Sequence, residues 1–418
     1  MNFINLNYKP KKTDVICQYR VLPAKGISLE EISGMVAGES SVGTWTEVST
    51  MKKRIAKKLS PAVFYIDKKN YRIRIAYPIE LFELGNLPDI LSSVGGNIFG
   101  MKAAKELFWE DVSIPKKMLK SFKGPRYGIT GIRKLLNIKN RPLIGTIVKP
   151  KVGLNPKEHA QVAYEAWKGG CDIVKDDENL TNQNFNQFKK RFLFTTKMRK
   201  KAERETGERK AYLINCTAEI EEMKKRIKFV EKNHGNYIML DILTLGWGGL
   251  QTARNFTKLP IHAHRAGHAM FDRDKKFGMS MEVIAQLARM VGVDTLHIGT
   301  VFGKMSGEKK EVMHINEEIS SDSTKKTKKY LEQKWYRIKP VFSVASGGLH
   351  PGLVGKIIKI IGNNIVLQAG GGIHGHPLGT EAGARAMRQS VDVAVKKLFL
   401  KEYLKSHEEL KLALKKWG

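Results

Sequence analysis

"PLIGTIVKPKVGLNPKEHAQVAYEAWKGGCDIVKDDE", residues 142–178, begins and ends on short β-rich runs with a patterned polar stretch between them. Between the runs, the apolar residues of "NPKEHAQVAYEAWKGG" recur at helical spacing. The stretch therefore reads strand, helix, strand. Both runs stop on charge: the first on Lys149 and Lys151, the second on Lys175-Asp176-Asp177-Glu178. Apolar runs ordinarily stop in a plain turn, so these endings need a chemical reason.

Working outward, the same unit recurs from residue 141 to the end of the chain. The β-rich runs are "PLIGTIVKPK" (142–151), "CDIVKDDE" (171–178), "AYLINCTAE" (211–219), "NYIMLDILTLG" (236–246), "LPIHAHRAGH" (259–268), "DTLHIGTVFGK" (294–304), "PVFSVASGGLHPG" (340–352) and "NIVLQAGGGIHGHP" (364–377). An open doubly wound sheet also alternates strand and helix, so the count of eight decides for a closed barrel. The expectation is an α/β chain: a (β/α)8 TIM barrel preceded by a smaller N-terminal α+β domain. Residues 1–122 form that domain, 123–400 the catalytic barrel and 401–418 a helical tail. In the first domain "DVICQYRVLP" and "NYRIRIAYPIELF" read as strands, and "LEEISGMVAGES" and "DILSSVGGN" as helix or loop.

The bulk numbers agree with a large folded chain. It has 418 residues, 42% hydrophobic and 27% charged, with a formal charge of +32. No apolar stretch reaches the roughly 20 residues that span a bilayer, and the N-terminus lacks a signal-peptide order. Cys17, Cys171 and Cys216 are widely spaced and odd in number, which fits reduced thiols in a cytoplasm. The excess lysine falls in "KKRFLFTTKMRKKAERETGERK" (189–210), "SDSTKKTKKYLEQK" (321–334) and "KKLFLKEYLKSHEELKLALKKWG" (396–418), where Glu and Lys alternate as on solvated helix faces. No nucleic-acid motif accompanies them.

Strand C-termini of such a barrel converge on one face. Lys149, Lys175, Asp177, Glu178, His264, His297, Lys304, Ser346 and the glycines at 370–372 thus become neighbours. Asp177 and Glu178 are hard oxygen ligands suited to Mg2+. A protonated Lys175 beside them would repel the ion, which leaves two readings open: a buried salt bridge without metal, or a lysine turned into an anionic carbamate by CO2. Lys175 and Asp177 alternate onto the same strand face. "ASGGLHPG" (345–352) and "QAGGGIHGHP" (368–377) end runs seven and eight, where barrels bind phosphate. Arg265 suits bidentate phosphate binding, and Lys304, set between glycines, looks like a lid cation. "HAHRAGH" (262–268) could bind zinc only with a further ligand that the sequence does not place. The residues reach a Mg2+-dependent enzyme on a phosphorylated small molecule and leave its reaction open.

The motifs, in this order, resemble the large subunit of ribulose-bisphosphate carboxylase (RuBisCO): "GESSVGTWTEV" (38–48), "GGNIFGMKAAKELFWEDVSIP" (95–115), "GTIVKPKVGL", "GGCDIVKDDEN", "HAHRAGHAMFDR", "HIGTVFGKMSGE", "VASGGLHPG" and "LQAGGGIHGHP". They cover nearly the whole chain, and "GGGIHGHPLGTEAGARAMRQ" with the short tail is similar to archaeal-type (form III) members. The resemblance implies carboxylation of ribulose 1,5-bisphosphate to two 3-phosphoglycerates through an enediolate held on Mg2+, with O2 as a competing substrate. It implies that Lys175 is carbamylated by an activating CO2 and ligates Mg2+ with Asp177 and Glu178. Lys149 corresponds to the final proton donor, supported by Lys151, and Lys304 to the group that stabilises the incoming carboxylate. His264 and His297 line the site. Arg265 and His297 resemble binders of one phosphate, and Gly348, Gly370, Gly371, Thr44 and Trp45 binders of the other. Ser346, Gly347 and Gln368 fall at substrate-binding positions. Glu39, Thr44, Trp45 and Asn97 come from the partner subunit in the family, which implies an obligate homodimer, with rings of dimers as an extension and no small subunit. Archaeal-type relatives imply a place in AMP and nucleotide salvage.

Met305-Ser306 replace Leu-Glu of plant-type enzymes, and Ile147 replaces a threonine; neither removes a catalytic group. The rival readings are a RuBisCO-like enolase or isomerase acting on a thiomethyl sugar phosphate and, from another class, a basic RNA-binding protein. The six matches at Lys149, Lys175, Asp177, Glu178, His264 and Lys304 speak against both.

Overall fold

The computed structural model describes residues 3–44, 48–302 and 309–418. Among these the strands in chain order are β1 (Val15–Pro23), β2 (Ala62–Asp67), β3 (Arg72–Tyr77), β4 (Ala104–Ser113), β5 (Leu143–Ile147), β6 (Ile173–Lys175), β7 (Ala211–Asn215), β8 (Ile238–Asp241), β9 (Ile261–His264), β10 (Phe277–Met279), β11 (Thr295–Gly299), β12 (Ser323–Thr324), β13 (Gln333–Lys334), β14 (Phe342–Ser346) and β15 (Ile365–Gln368). The chain divides into two compact units. One comprises Met1–Gly124, Gly267–Val291 and Ser321–Ile338; the other comprises Pro125–Ala266, Gly292–Ser320 and Lys339–Gly418.

The first unit is built on a five-stranded sheet in the order β10-β4-β1-β3-β2. β1 pairs antiparallel with β3 and β4, and β10 adds parallel to β4. The helix Leu29–Glu39 starts in a capping box: Ser28 accepts from the Glu31 N–H and the Glu31 side chain returns to the Ser28 N–H. The stretch 321–334, expected to be helical, is instead the two-stranded ladder β12-β13. Thr327 explains the difference. Its Oγ1 accepts from the N–H of Lys329 (3.2 Å) and of Tyr330 (2.9 Å), offering the backbone a local turn in place of helix.

The second unit is the closed barrel β11-β14-β15-β5-β6-β7-β8-β9, with every paired neighbour parallel. All eight expected runs are present, and each strand is shorter than its run. The polar ends of the runs leave the ladder as loops, which is where the functional side chains sit. The register sets those ends at matching heights: Ile147 opposite Lys175, Asp241 opposite His264, and Ser346 opposite Gln368. One end of the barrel is filled by an apolar cluster including Leu143, Ile173, Leu213, Met239, Phe342 and Val366. Ile129, Ile132 and Leu136 of the helix Gly128–Leu136 pack onto it. The helix Pro156–Lys168 begins as its sequence demands, with Asn155 capping, Glu158 closing the box and Pro156 at the first position. The tail helix Glu408–Trp417 is tied to the helix Gly379–Lys396, where Gln389 Nε2 donates to Glu409 Oε2 at 2.8 Å. All three cysteines are buried and free, and no described helix is long and apolar enough to cross a membrane.

Backbones approach closely at Gly383 in the helix Gly379–Lys396. A Cβ there would lie 2.0 Å from the carbonyl oxygen of Ile373, an atom that cannot swing away. Gly383→Ala is expected to destabilise the fold by about 1–3 kcal/mol through overpacking. A thermal unfolding midpoint equal to wild type would contradict this.

Candidate active site

Six strands, β5, β6, β8, β9, β11 and β14, build the centre of the site. Lys175, the last residue of β6, is buried, 1% of its side chain being exposed. Its Nζ donates to the Asp176 backbone carbonyl at 2.8 Å and to Met239 Sδ at 3.4 Å. The nearest carboxylate oxygen is Glu178 Oε2, at 3.5 Å. Burial dominates the amine and pulls its pKa below the ordinary 10.5, although Glu178, Asp177 and Asp241 pull the other way. Lys175 therefore keeps a loose ion pair with Glu178, while Asp177 is taken by another lysine: Lys149 Nζ meets Asp177 Oδ2 at 2.7 Å.

Glu178 lies between two nitrogen groups. Its Oε2 is 3.5 Å from Lys175 Nζ and 3.6 Å from His264 Nε2. Burial alone would raise its pKa, but the charges of His264 and Lys175 hold it below the usual value. His264, at the end of β9, is oriented from behind by Asp241 Oδ1, 2.8 Å from Nδ1. Its ring meets that of His297 edge-on, with centroids 4.9 Å apart. His297 in turn contacts Ser346 Oγ through Nδ1 at 2.7 Å and His262 Nε2 through Nε2 at 2.9 Å. Burial drives both His262 and His297 far below the ordinary histidine pKa, so both rings are neutral.

Asp176 faces the opposite way from its neighbours, as alternation along a strand requires. It is completely buried in a network of its own: Arg191 Nε at 3.1 Å, His159 Nε2 at 3.1 Å, the Tyr212 hydroxyl at 2.6 Å and the Asn215 N–H at 3.0 Å. The acidic run thus divides its labour, with Asp176 anchoring the strand end while Asp177 and Glu178 face the mouth.

The glycine-rich ends supply backbone. Gly347 and Gly348 adopt φ of 108° and 73°, a region that L side chains rarely enter. A Cβ on Gly370 would touch Lys149 Cε at 3.4 Å, whereas one on Gly371 would meet open space. Gln368 is buried, and neither atom of its amide has a hydrogen-bond partner among the described residues. Arg265 Nη2 lies beside Gly299, 3.0 Å from where a Cβ would stand.

The structure therefore brings Lys149, Lys175, Asp177, Glu178, His264, His297, Ser346 and Gly370 into one connected cluster. Lys151 is exposed. Glu39 and Asn97 belong to the first unit, where Asn97 Nδ2 donates to Glu39 Oε1 at 3.3 Å; Thr44 is exposed in that unit. Trp45 and Lys304 lie outside the described residues, as do Met305 and Ser306. Sequence reasoning missed Asp241, Met239 and the Asp176 network. Asp241 had a signal: "IMLD" (238–241) ends an apolar run on an acid, as 171–178 does.

Comparison with known proteins decides the family. Residues 128–417 match the model for the ribulose bisphosphate carboxylase large chain, catalytic domain, and residues 2–118 the model for its N-terminal domain. The chain belongs to the ribulose bisphosphate carboxylase large-chain family. That is a family of carboxylating lyases. The ribulose bisphosphate carboxylase of Methanocaldococcus jannaschii is 50% identical over 427 residues, covering the whole of both chains. That of Methanosarcina mazei is 47% identical over 422 residues, covering 100% of this chain and 99% of the other. Among solved structures, the dimeric archaeal Rubisco from Hyperthermus butylicus superposes with a TM-score of 0.95 at 47% identity, covering 100% of this chain and 98% of that one. The octameric Rubisco from Pyrococcus horikoshii, solved with sulfate, gives 0.93 at 45% identity, covering 99% and 96%. The barrel with its N-terminal α+β unit is thus the family's fold, as the sequence reading expected.

Proposed function

We propose that this chain is a ribulose 1,5-bisphosphate carboxylase that adds CO2 and water to its substrate to give two 3-phosphoglycerates. The observation that carries the reading is Lys175: a buried amine, held low in pKa, with Asp177 and Glu178 beside it and no carboxylate oxygen within 3.4 Å. A neutral amine is the form that attacks CO2. The N–C bond forms, one proton leaves to solvent, and the neutral amine becomes an anionic carbamate.

The donor set fits Mg2+. Asp177, Glu178 and a Lys175 carbamate offer oxygens only, as a hard cation prefers. Bound there, Mg2+ supplies Lewis acidity to the substrate oxygens on which charge develops. Lys175, as its carbamate, accepts the proton from C3 of the sugar. CO2 then adds at C2, and water at C3 precedes the C–C cleavage. Lys149, whose ammonium is held at Asp177, donates the proton that the C2 carbanion needs after cleavage. Asp241 keeps His264 turned toward Glu178, and the buried neutral pair His262–His297 keeps further positive charge away from the amine. Gly347, Gly348, Gly370 and Gly371 offer backbone to one phosphate, Arg265 a guanidinium to the other, and Gln368 an unsatisfied amide to the substrate.

Glu39, Thr44, Trp45 and Asn97 complete the neighbouring subunit's site in a homodimer; the dimeric and octameric assemblies of the relatives support this, including rings of dimers. Lys304 stabilises the incoming carboxylate. The archaeal-type motifs support a role in nucleotide salvage starting from AMP, and oxygenation accompanies carboxylation.

Supplying purified protein with labelled bicarbonate, Mg2+ and ribulose 1,5-bisphosphate is expected to place acid-stable label in 3-phosphoglycerate. Absence of label, with turnover of a thiomethyl sugar phosphate instead, would assign the chain to an isomerase.

A further inference from the structure

A hydrogen-bonded chain of side chains crosses the barrel from its core to its mouth. It starts at the Tyr237 hydroxyl, which is completely buried and touches Thr295 Oγ1 at 3.2 Å. Thr295 Oγ1 meets His262 Nδ1 at 2.8 Å, His262 Nε2 meets His297 Nε2 at 2.9 Å, and His297 Nδ1 meets Ser346 Oγ at 2.7 Å. Tyr237, Thr295, His262 and His297 are each 3% exposed or less, while Ser346 is partly open.

Such a chain can point two ways, and the inner end decides between them. If it pointed inward, Ser346 would donate to His297, His297 to His262, His262 to Thr295 and Thr295 to Tyr237. The Tyr237 O–H would then have no acceptor, because Thr295 is its one hydrogen-bond neighbour among the described residues. Native interiors avoid such a buried orphan donor. Pointing outward, every donor is used: Tyr237 to Thr295, Thr295 to His262 Nδ1, His262 Nε2–H to His297 Nε2, and His297 Nδ1–H to Ser346 Oγ. A neutral imidazole carries one proton, so fixing one ring nitrogen fixes the other.

We propose that Tyr237, Thr295 and His262 are positioning residues that lock His297 in its Nδ1–H tautomer, so that Ser346 presents its hydroxyl as a donor to an anionic oxygen of the substrate. Ser346 Oγ already accepts from His297, and its own proton is therefore free for the mouth. The identity of that ligand as a sugar bisphosphate rests on the proposed function; the direction of the chain does not.

The test is 15N NMR of the full-length protein labelled at histidine, without substrate, with the two rings assigned through His262→Gln and His297→Gln. The expected result is Nδ1–H for His297 and Nε2–H for His262, the reverse of the tautomer usual for a free imidazole in the first case. Nε2–H on His297, or an imidazolium there at neutral pH, overturns the proposal. Kinetics give a second arm: Thr295→Val is expected to raise KM for ribulose 1,5-bisphosphate about tenfold, the size of one hydrogen bond to a charged group. Thr295→Ser, which keeps the hydroxyl, is expected to restore KM. Equal KM values in both variants would refute the relay. If the protein turned over no ribulose 1,5-bisphosphate at all, the proposed function would fail while the tautomer measurement still judged the relay.

Discussion

Lys175→Ala is expected to lose carboxylation by about 10⁴-fold or more, the loss that follows removal of a general base, with the metal's third oxygen ligand going as well. The variant deletes the amine while leaving Lys149 and Asp177 paired at 2.7 Å. The fold should survive, because Met239 and the apolar layer below remain packed. Steady-state turnover with a circular dichroism melt separates the two effects: lost activity with a retained melt supports the carbamate role, and near-wild-type turnover contradicts it. Activation by CO2 should also depend on pH in a defined direction. Only the neutral amine reacts, and burial lowers the folded pKa of Lys175. Activation should therefore rise with pH and level off below 10.5, the value of an unperturbed lysine. A rise that continued through that value would show an ordinary exposed amine.

Asp176→Ala is expected to destabilise the protein by about 3–5 kcal/mol, because it strips the partner from a buried guanidinium. Arg191 is fully buried, and its other bonds go to the carbonyls of Thr181 and Asn186 and to the Asn186 side chain. Burial alone would raise the pKa of Asp176, yet the Arg191 charge, the His159 ring 3.1 Å away and the bond from Tyr212 hold it well below the carboxylate range. A carboxyl group depressed in the folded state contributes stability that is complete above its unfolded pKa of about 3.9 and is lost as pH falls through the folded value. The gap between wild type and Asp176→Asn in urea unfolding should thus be widest near neutrality and narrow below pH about 4. A gap independent of pH would mean that the charge of Asp176 contributes nothing. This residue sits between Lys175 and Asp177, so the same network that stabilises β6 also fixes where those two side chains emerge.

The comparison of sequence with structure turns on where periodicity ends. β-rich runs separated by helical spacing made the barrel legible, and the polar ends of those runs made the site legible, because a barrel gathers its strand ends without help from sequence proximity. What sequence could not show was pairing. Which acid each lysine takes depends on Lys149 reaching Asp177 from the next strand, a contact spanning 28 residues that leaves Lys175 with Glu178 at 3.5 Å. His262 stood out only as part of a motif that could bind zinc with a further ligand, and its contacts run instead to Thr295 and through it to Tyr237, which no motif joins to it. The 321–334 stretch was misread because charge alternation is shared by helices and solvated turns, and Thr327 broke the tie locally. The glycine-rich ends announced close approach, while the unpaired amide of Gln368 is visible only once Gly145 has made room for it: a Cβ on Gly145 would stand 2.3 Å from Gln368 Oε1.

The most direct measurement is 13C NMR of the protein equilibrated with 13C-bicarbonate and Mg2+. One carbamate resonance is expected in the wild type, strengthened by the metal, kept in Lys149→Met and lost in Lys175→Met. A wild-type spectrum with no such resonance, or one that persists when Lys175 is replaced, would contradict the account.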